Sequence, residues 1–199
     1  MLCNRKEERI EMQRARFVQV VAWVALLCGI QLLDWGIRSA VRRTNAPHSN
    51  AANRTFYKKE LLPVFAPPGL AFPIAWSINS AASIAGALHV LNLRRHSAAR
   101  ARFLRLQAGA WFLFATFNAA YFELRSPFNA AAITLAYSCL AAASIRTAFR
   151  MDRAAAVSLL PTAAWLALAN PVAFTVAAWN RDEFWNVGPF AVSPKWLLK

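Results

Sequence analysis

Residues 126–145 read SPFNAAAITLAYSCLAAASI and residues 154–180 read AAAVSLLPTAAWLALANPVAFTVAAWN, and neither stretch holds an Asp, Glu, Lys or Arg. A helix rises ~1.5 Å per residue and the hydrocarbon core of a bilayer is ~30 Å thick, so a run of roughly 17–25 apolar residues crosses it. A charge at the centre of such a helix costs roughly 2.5–3.5 kcal/mol, which makes the two charge-free runs a physical signal. The competing reading is a soluble all-α bundle. Its helices would carry a polar stripe at period 3.6, and neither stretch has a charged face.

Three further charge-free stretches precede these two, at 17–33, 61–93 and 106–122. The whole chain is 58% hydrophobic and 16% charged, where a soluble domain carries about 25% charged residues. The pattern predicts an all-α integral membrane protein, a five-helix transmembrane bundle. Its expected parts are a polar N-terminal arm at 1–16, spans near 17–37, 70–92, 106–124, 128–149 and 154–180, and an aromatic tail at 181–199 lying at the interface. Stretch 17–33 is long for a signal-peptide core, and Glu7, Glu8 and Glu11 argue against a transit peptide.

The formal net charge is +14, which on a soluble chain suggests nucleic acid. Here the arginines sit at the ends of the apolar runs: Arg38, Arg42 and Arg43; Arg94, Arg95, Arg100, Arg102 and Arg105; Arg146, Arg150 and Arg153. That placement fits headgroup anchoring and acidic neighbours in a larger assembly, with no basic soluble domain left for nucleic acid. Lys and Arg divide too evenly between the two sides to orient the chain. Cys3, Cys28 and Cys139 form no CxxC pair and imply neither a disulfide framework nor a zinc site; the last two read as small packing residues. The sequon Asn53-Arg54-Thr55 matches by pattern only.

Ala81, Ala82, Ala85 and Gly86, and then Ala108, Ala115 and Ala119, recur at helical spacing and let helices approach closely. Few polar residues fall inside spans: Asn79, Ser83, His89, Asn118 and Asn170. His89 has no second ligand at i±3 or i±4, so a hydrogen-bonded role outweighs a metal or porphyrin-iron ligand. Asp34 and Glu123 end spans beside arginines and read as ion-pair partners. No catalytic set, phosphate loop or metal cluster is visible, and the chain reads as a non-enzyme. Trp76 and Trp165 lie several residues inside their spans after proline-marked starts, placing them toward the bundle interior, whereas the other tryptophans suit an interfacial belt.

Three segments together resemble the TspO/MBR family, the tryptophan-rich sensory proteins that include the mitochondrial translocator protein. Phe56-Tyr57, Pro63, Pro67-Pro68, Phe72 and Trp76 are similar to that family's lead into helix two. Tyr121-Phe122-Glu123-Leu124-Arg125-Ser126-Pro127 resembles its turn after helix three, and Met151-Asp152-Arg153 through Leu159-Leu160-Pro161 to Trp165 and Ala169 resembles the start of its helix five. The chain departs from the family pattern at Leu70, Pro73-Ile74, Ala110, Phe114, Phe117, Thr162 and Val172-Ala173, and no Tyr follows Tyr137 to make a sterol-type motif. The resemblance implies a bundle that binds a porphyrin, a sterol-type molecule or another apolar ligand in a pocket under the first loop, walled by Phe72, Trp76, Phe117, Trp165 and Ala169. It implies no resident cofactor or metal. Leu70 in place of a family Trp argues against porphyrin degradation. The lost polar and Trp lining supports an alternative, a non-catalytic accessory subunit of a respiratory or photosynthetic membrane complex that reuses the fold. The expected partners are membrane lipids and, on that alternative, other subunits of the complex. A mitochondrial or other organellar membrane is expected, and a bacterial inner membrane also fits.

Overall fold

The computed structural model describes residues 2–44, 56, 59–93 and 97–199. The sequon at 53–55, Tyr57, Arg94 and Arg95 lie outside the described residues, as do the side chains of the N-terminal arm and of Trp23. The regular elements among the described residues are helices, with α1 at Leu2–Thr44, α2 at Ala71–Leu91, α3 at Ala98–Asn118, α4 at Pro127–Phe149, α5 at Arg153–Val157 and α6 at Leu160–Trp179. A π-helical turn, Ala119–Glu123, extends α3, and the tail ends in a 3₁₀ turn, Lys195–Leu197. The protein is an integral membrane protein: the Val24–Arg43 part of α1, then α2, α4 and the run Arg153–Trp179 are long and apolar enough to cross a bilayer. Helix α3 carries Arg100, Arg102 and Arg105 in its first turns ahead of its charge-free part.

Helices α3, α4 and α5 start where side chains supply acceptors for the free N–H groups of a first turn, whereas α2 and α6 start without a side-chain cap. Ser97 accepts from the Arg100 N–H, Ser126 from Asn129 and Asp152 from Ala155. Pro127 occupies the first turn of α4, where its missing N–H removes nothing. Arg125 takes a positive φ of 50° to turn the chain between α3 and α4.

The last apolar run is not one helix. It breaks at Ser158–Leu159 into α5 and α6, and Pro161, though inside the span Arg153–Trp179, stands in the first turn of α6 rather than in the middle of a helix. Proline cannot donate to the carbonyl four residues back, and its ring collides with that carbonyl. Pro171 remains inside α6, as membrane helices tolerate when neighbours support the freed backbone.

Helices α2, α3, α4 and α6 form the packed bundle, with α3 on α4 and α4 on α6 as the main seams, and α1 lies outside against α3. Two polar links hold α1. Arg42 grips buried Glu123 with both Nε (2.9 Å) and Nη2 (2.6 Å), and Asn118 donates to Asp34 at 3.3 Å while Arg38 pairs with Asp34 at 2.6 Å. The two carboxylates are thus ion-pair partners, as their sequence positions suggest.

The small residues divide unevenly. Ala115 and Ala119 are buried, but Ala81, Ala85 and Ala108 face outward. Cys28 and Cys139 are exposed, not packing residues of the interior. The tight approach falls instead at Gly86, where a Cβ would stand 1.9 Å from Ser158 Oγ at the α5–α6 break. His89 meets Asp152 at 3.0 Å across the same contact, and the Ala155 N–H, with His89, holds that carboxyl below its usual range against the opposing effect of burial. Gly86→Ala is expected to destabilise the bundle by about 1–3 kcal/mol, as overpacking does. The drop would be read as a lower thermal midpoint in detergent, and Ser158→Gly added to Gly86→Ala should recover most of it. An unchanged midpoint for Gly86→Ala would remove this contact from the packing argument.

Candidate functional site

The five residues singled out in the sequence come together on one cavity. Phe72 and Trp76 reach it from α2, Phe117 from α3, and Trp165 and Ala169 from α6. Each pair within a helix is four residues apart, the spacing that stacks side chains on one face. Sequence reasoning did not select Tyr137 of α4, Tyr121 of the π-helical turn or Phe114 of α3 as lining residues, yet all three line the same space. A signal for Tyr137 existed: Ala130, Thr134, Tyr137 and Ala141 mark one buried face of α4 at helical spacing.

The aromatic rings pack mainly against one another. Trp76 lies 4.8 Å from Phe114, 5.6 Å from Tyr137 and 6.5 Å from Trp165 between ring centroids, and Phe72 meets Trp165 edge-on at 5.3 Å. Such edge-to-face geometries suit ring quadrupoles. The space left open is about 80 Å³. Four departures from the family pattern, Phe114, Phe117, Val172 and Ala173, all stand on this wall and all are apolar. Ala110 lies below it, packed with Tyr137, Ala141 and Leu166, and Thr162 is buried away from it with its hydroxyl unpartnered among the described residues.

Beside the cavity, the segment that leads into α2 and the tail hold one another. Asn180, just past α6, accepts from the Leu61 N–H at 2.8 Å and donates to the Leu61 carbonyl at 3.1 Å. The tail then runs back across the 61–66 segment: Val64 N–H donates to Leu197, Lys199 N–H to Leu62, and the Lys199 ammonium to the Ala66 carbonyl at 2.7 Å. Ala66 packs on Val172 and Val176, which seats Pro67 over the cavity. Buried Asp182 fixes the tail's start by accepting from Ser126 Oγ (2.6 Å), Phe128 N–H (3.0 Å) and Trp185 N–H (2.8 Å).

Beside these segments lies a polar cavity of about 410 Å³ lined by Phe56, Lys59, Glu60, Arg125, Asn180, Arg181 and Glu183. Arg125 pairs with Glu183 at 3.1 Å and lies over the Phe56 ring. The two cavities meet at Tyr121, whose ring lines the apolar one and whose hydroxyl donates to Glu60 Oε2. Burial pushes the Glu60 carboxyl up to about 8; the Tyr121 hydrogen bond opposes this and the nearby Glu183 and Asp182 charges add to it. Among the described residues no group of three His, Cys, Asp or Glu gathers to hold a metal.

The sequence profile of the TspO/MBR family matches residues 36–179. No curated protein matches the chain.

Glu60 generates a pH prediction. Unfolded, its carboxyl titrates near ~4.3; folded, it keeps its proton to about 8. The folded state binds more protons between those values, so stability falls as pH rises through that window and levels off above it. Thermal midpoints in detergent measured across that range should decline for the natural chain and decline less for Glu60→Gln. Parallel curves for the two proteins would contradict it.

Proposed function

The chain belongs to the TspO/MBR family, and on that premise we propose that it is a non-catalytic, five-crossing membrane protein that binds a hydrophobic ligand of porphyrin or sterol type in the aromatic cavity. The observation that carries this reading is the convergence of Phe72, Trp76, Phe117, Trp165 and Ala169 on one apolar space. Indole and phenyl faces give a flat ligand large contact area. The fifth crossing is α3: its 106–122 part is free of charge and it packs along α4.

The open volume sets a condition on that function. Ligand pockets for drug-sized molecules measure roughly 300–1,000 Å³, and about 80 Å³ is open here. A ligand of that size therefore displaces rings, and Phe114 is the ring that fills the centre from α3, against Trp76. Binding energy is spent on opening the cluster before contact is made.

The same filled cavity favours a second reading, the accessory subunit of a large membrane complex. Helix α1 supports it as well. It touches the bundle along one side only and presents Val24, Leu26, Leu32, Leu33 and Trp35 outward. An extracted chain that migrates with a complex far larger than its own 22.1 kDa would favour this reading, and migration as a monomer or dimer would favour ligand binding.

Protoporphyrin titration followed by Trp fluorescence tests the first reading. Trp76→Ala with Trp165→Ala is expected to weaken binding by at least about ten-fold, since removing stacked aromatic contacts is worth ~1–3 kcal/mol per ring. Phe114→Ala is expected to tighten it, because the cluster no longer has to open. Quenching that persists unchanged in the double variant would sink the proposal.

A further inference from the structure

At the opposite end of the α3–α4 seam from Tyr121 lies a groove of about 650 Å³ lined by Ala98, Ala99, Arg102, Ala142, Ala143, Arg146, Thr147 and Arg150. Arg146 and Arg150 are four residues apart on α4 and so share a face; Arg102 faces them from the first turn of antiparallel α3. The alanines leave the floor open between the three guanidinium groups. We propose that this groove binds the phosphate headgroup of an anionic phospholipid from the surrounding leaflet.

Three observations carry the assignment. First, the positive charge is uncompensated. Every carboxylate whose side chain is described is engaged elsewhere: Asp34 with Arg38, Glu60 with Tyr121, Glu123 with Arg42, Asp152 with His89, Asp182 with Ser126 and Glu183 with Arg125. Asp152, nearest in sequence, caps α5 and meets His89 of α2. Among the described residues no ion pair reaches Arg102, Arg146 or Arg150.

Second, the depth is right. The charge-free part of α3 begins at residue 106 and that of α4 ends at residue 145. Arg102 stands about one turn before the start of the charge-free part of α3, and Arg146 and Arg150 stand one and five residues past the end of that of α4, so the three arginines sit at the water–hydrocarbon boundary, the level of phospholipid phosphates. Third, the donor chemistry fits. Guanidinium groups donate paired N–H bonds to phosphate oxygens, and basic pockets between transmembrane helices are a recurrent form of headgroup site. A soluble anion would find the same donors, so the source must be separated by experiment.

The test uses the full chain purified in a mild neutral detergent. Native mass spectrometry after incubation with phosphatidylglycerol or phosphatidylcholine should show phosphatidylglycerol retained preferentially. Arg102→Gln, Arg146→Gln and Arg150→Gln combined should weaken that retention by about a hundred-fold, at roughly five-fold per arginine, while the three Arg→Lys changes should keep part of it. Thermal midpoints in phosphatidylcholine micelles check that the variants fold, and they should match the natural chain because these side chains hold no ion pair there. If the Gln variant does not fold, the midpoint of the natural chain decides: phosphatidylglycerol should raise it more than phosphatidylcholine does. Equal retention of both lipids, unchanged retention in a folded Gln variant, or full displacement of the lipid by excess inorganic phosphate would overturn the proposal. An acidic protein found bound at the groove in place of lipid would overturn it too.

Discussion

In hydrocarbon a backbone N–H or C=O without a partner costs several kcal/mol, and the architecture follows from that constraint. Between residues 71 and 93 and again between 97 and 179 the described chain is helix with short turns, and several helix starts are capped by side chains. Ser97, Ser126 and Asp152 each accept the N–H three residues on. Thr134, Ser138, Thr147, Asn170 and Thr175 turn their side chains back onto the carbonyl four residues earlier. Asn170 also reaches across to Ser138, a polar tie between α6 and α4 inside an otherwise apolar seam. These polar residues of the spans therefore serve the backbone's own accounting, whereas Asn79, Ser144 and Thr162 each keep a buried polar atom without a partner among the described residues.

Charge obeys a related constraint. A carboxylate at the edge of the bilayer is stabilised by a guanidinium within reach, and the pairs Arg42–Glu123 and Arg38–Asp34 lie where α1 meets the end of α3. They hold a helix whose apolar contacts with the bundle are few. At the other end of the same seam the arginines outnumber the described carboxylates, so the two ends of the α3–α4 pair differ in kind. One end carries the Arg42–Glu123 and Arg38–Asp34 pairs; at the other, among the described residues, no ion pair reaches Arg102, Arg146 or Arg150.

The helices were legible in the sequence because length and absence of charge are properties of contiguous residues. The walls of the cavity were legible only where a motif marked them. Trp76 and Trp165 drew attention by their depth within a span, and they do stand side by side. Tyr137 carries no such mark, because α4 is charge-free all round and its buried face of alanines and threonines differs little in polarity from its outer face. Glu60 and Tyr121 are far apart in sequence, and Asp182 gathers partners from α4 and from the tail; nothing local announces either arrangement. The break at Ser158 was missed for another reason. A proline inside an apolar run is compatible with a kinked span, and only the packing of Gly86 on Ser158 distinguishes a true interruption from a bend.

Family membership fixes the scaffold and leaves the occupant of the cavity to the residues that differ. Those differences share a direction. Phe114, Phe117, Val172 and Ala173 make the wall apolar, and Phe114 occupies its centre in ring contact with both Trp76 and Trp111. The rings of this wall pack on one another, so on the proposed reading the core's packing is largely independent of a ligand. That independence weakens any ligand it does bind, since contact energy must first replace ring–ring packing already present. It also frees the outer surface for other work: a bundle that stands without its ligand can serve as a scaffold, with α1 and the exposed tail aromatics Trp185, Phe190 and Trp196 as the surfaces that remain to be covered by lipid or by a neighbour. On the two proposed readings, binding protein and structural subunit diverge at the aromatic cluster, where a ligand must part Trp76 from Phe114 and a scaffold need not.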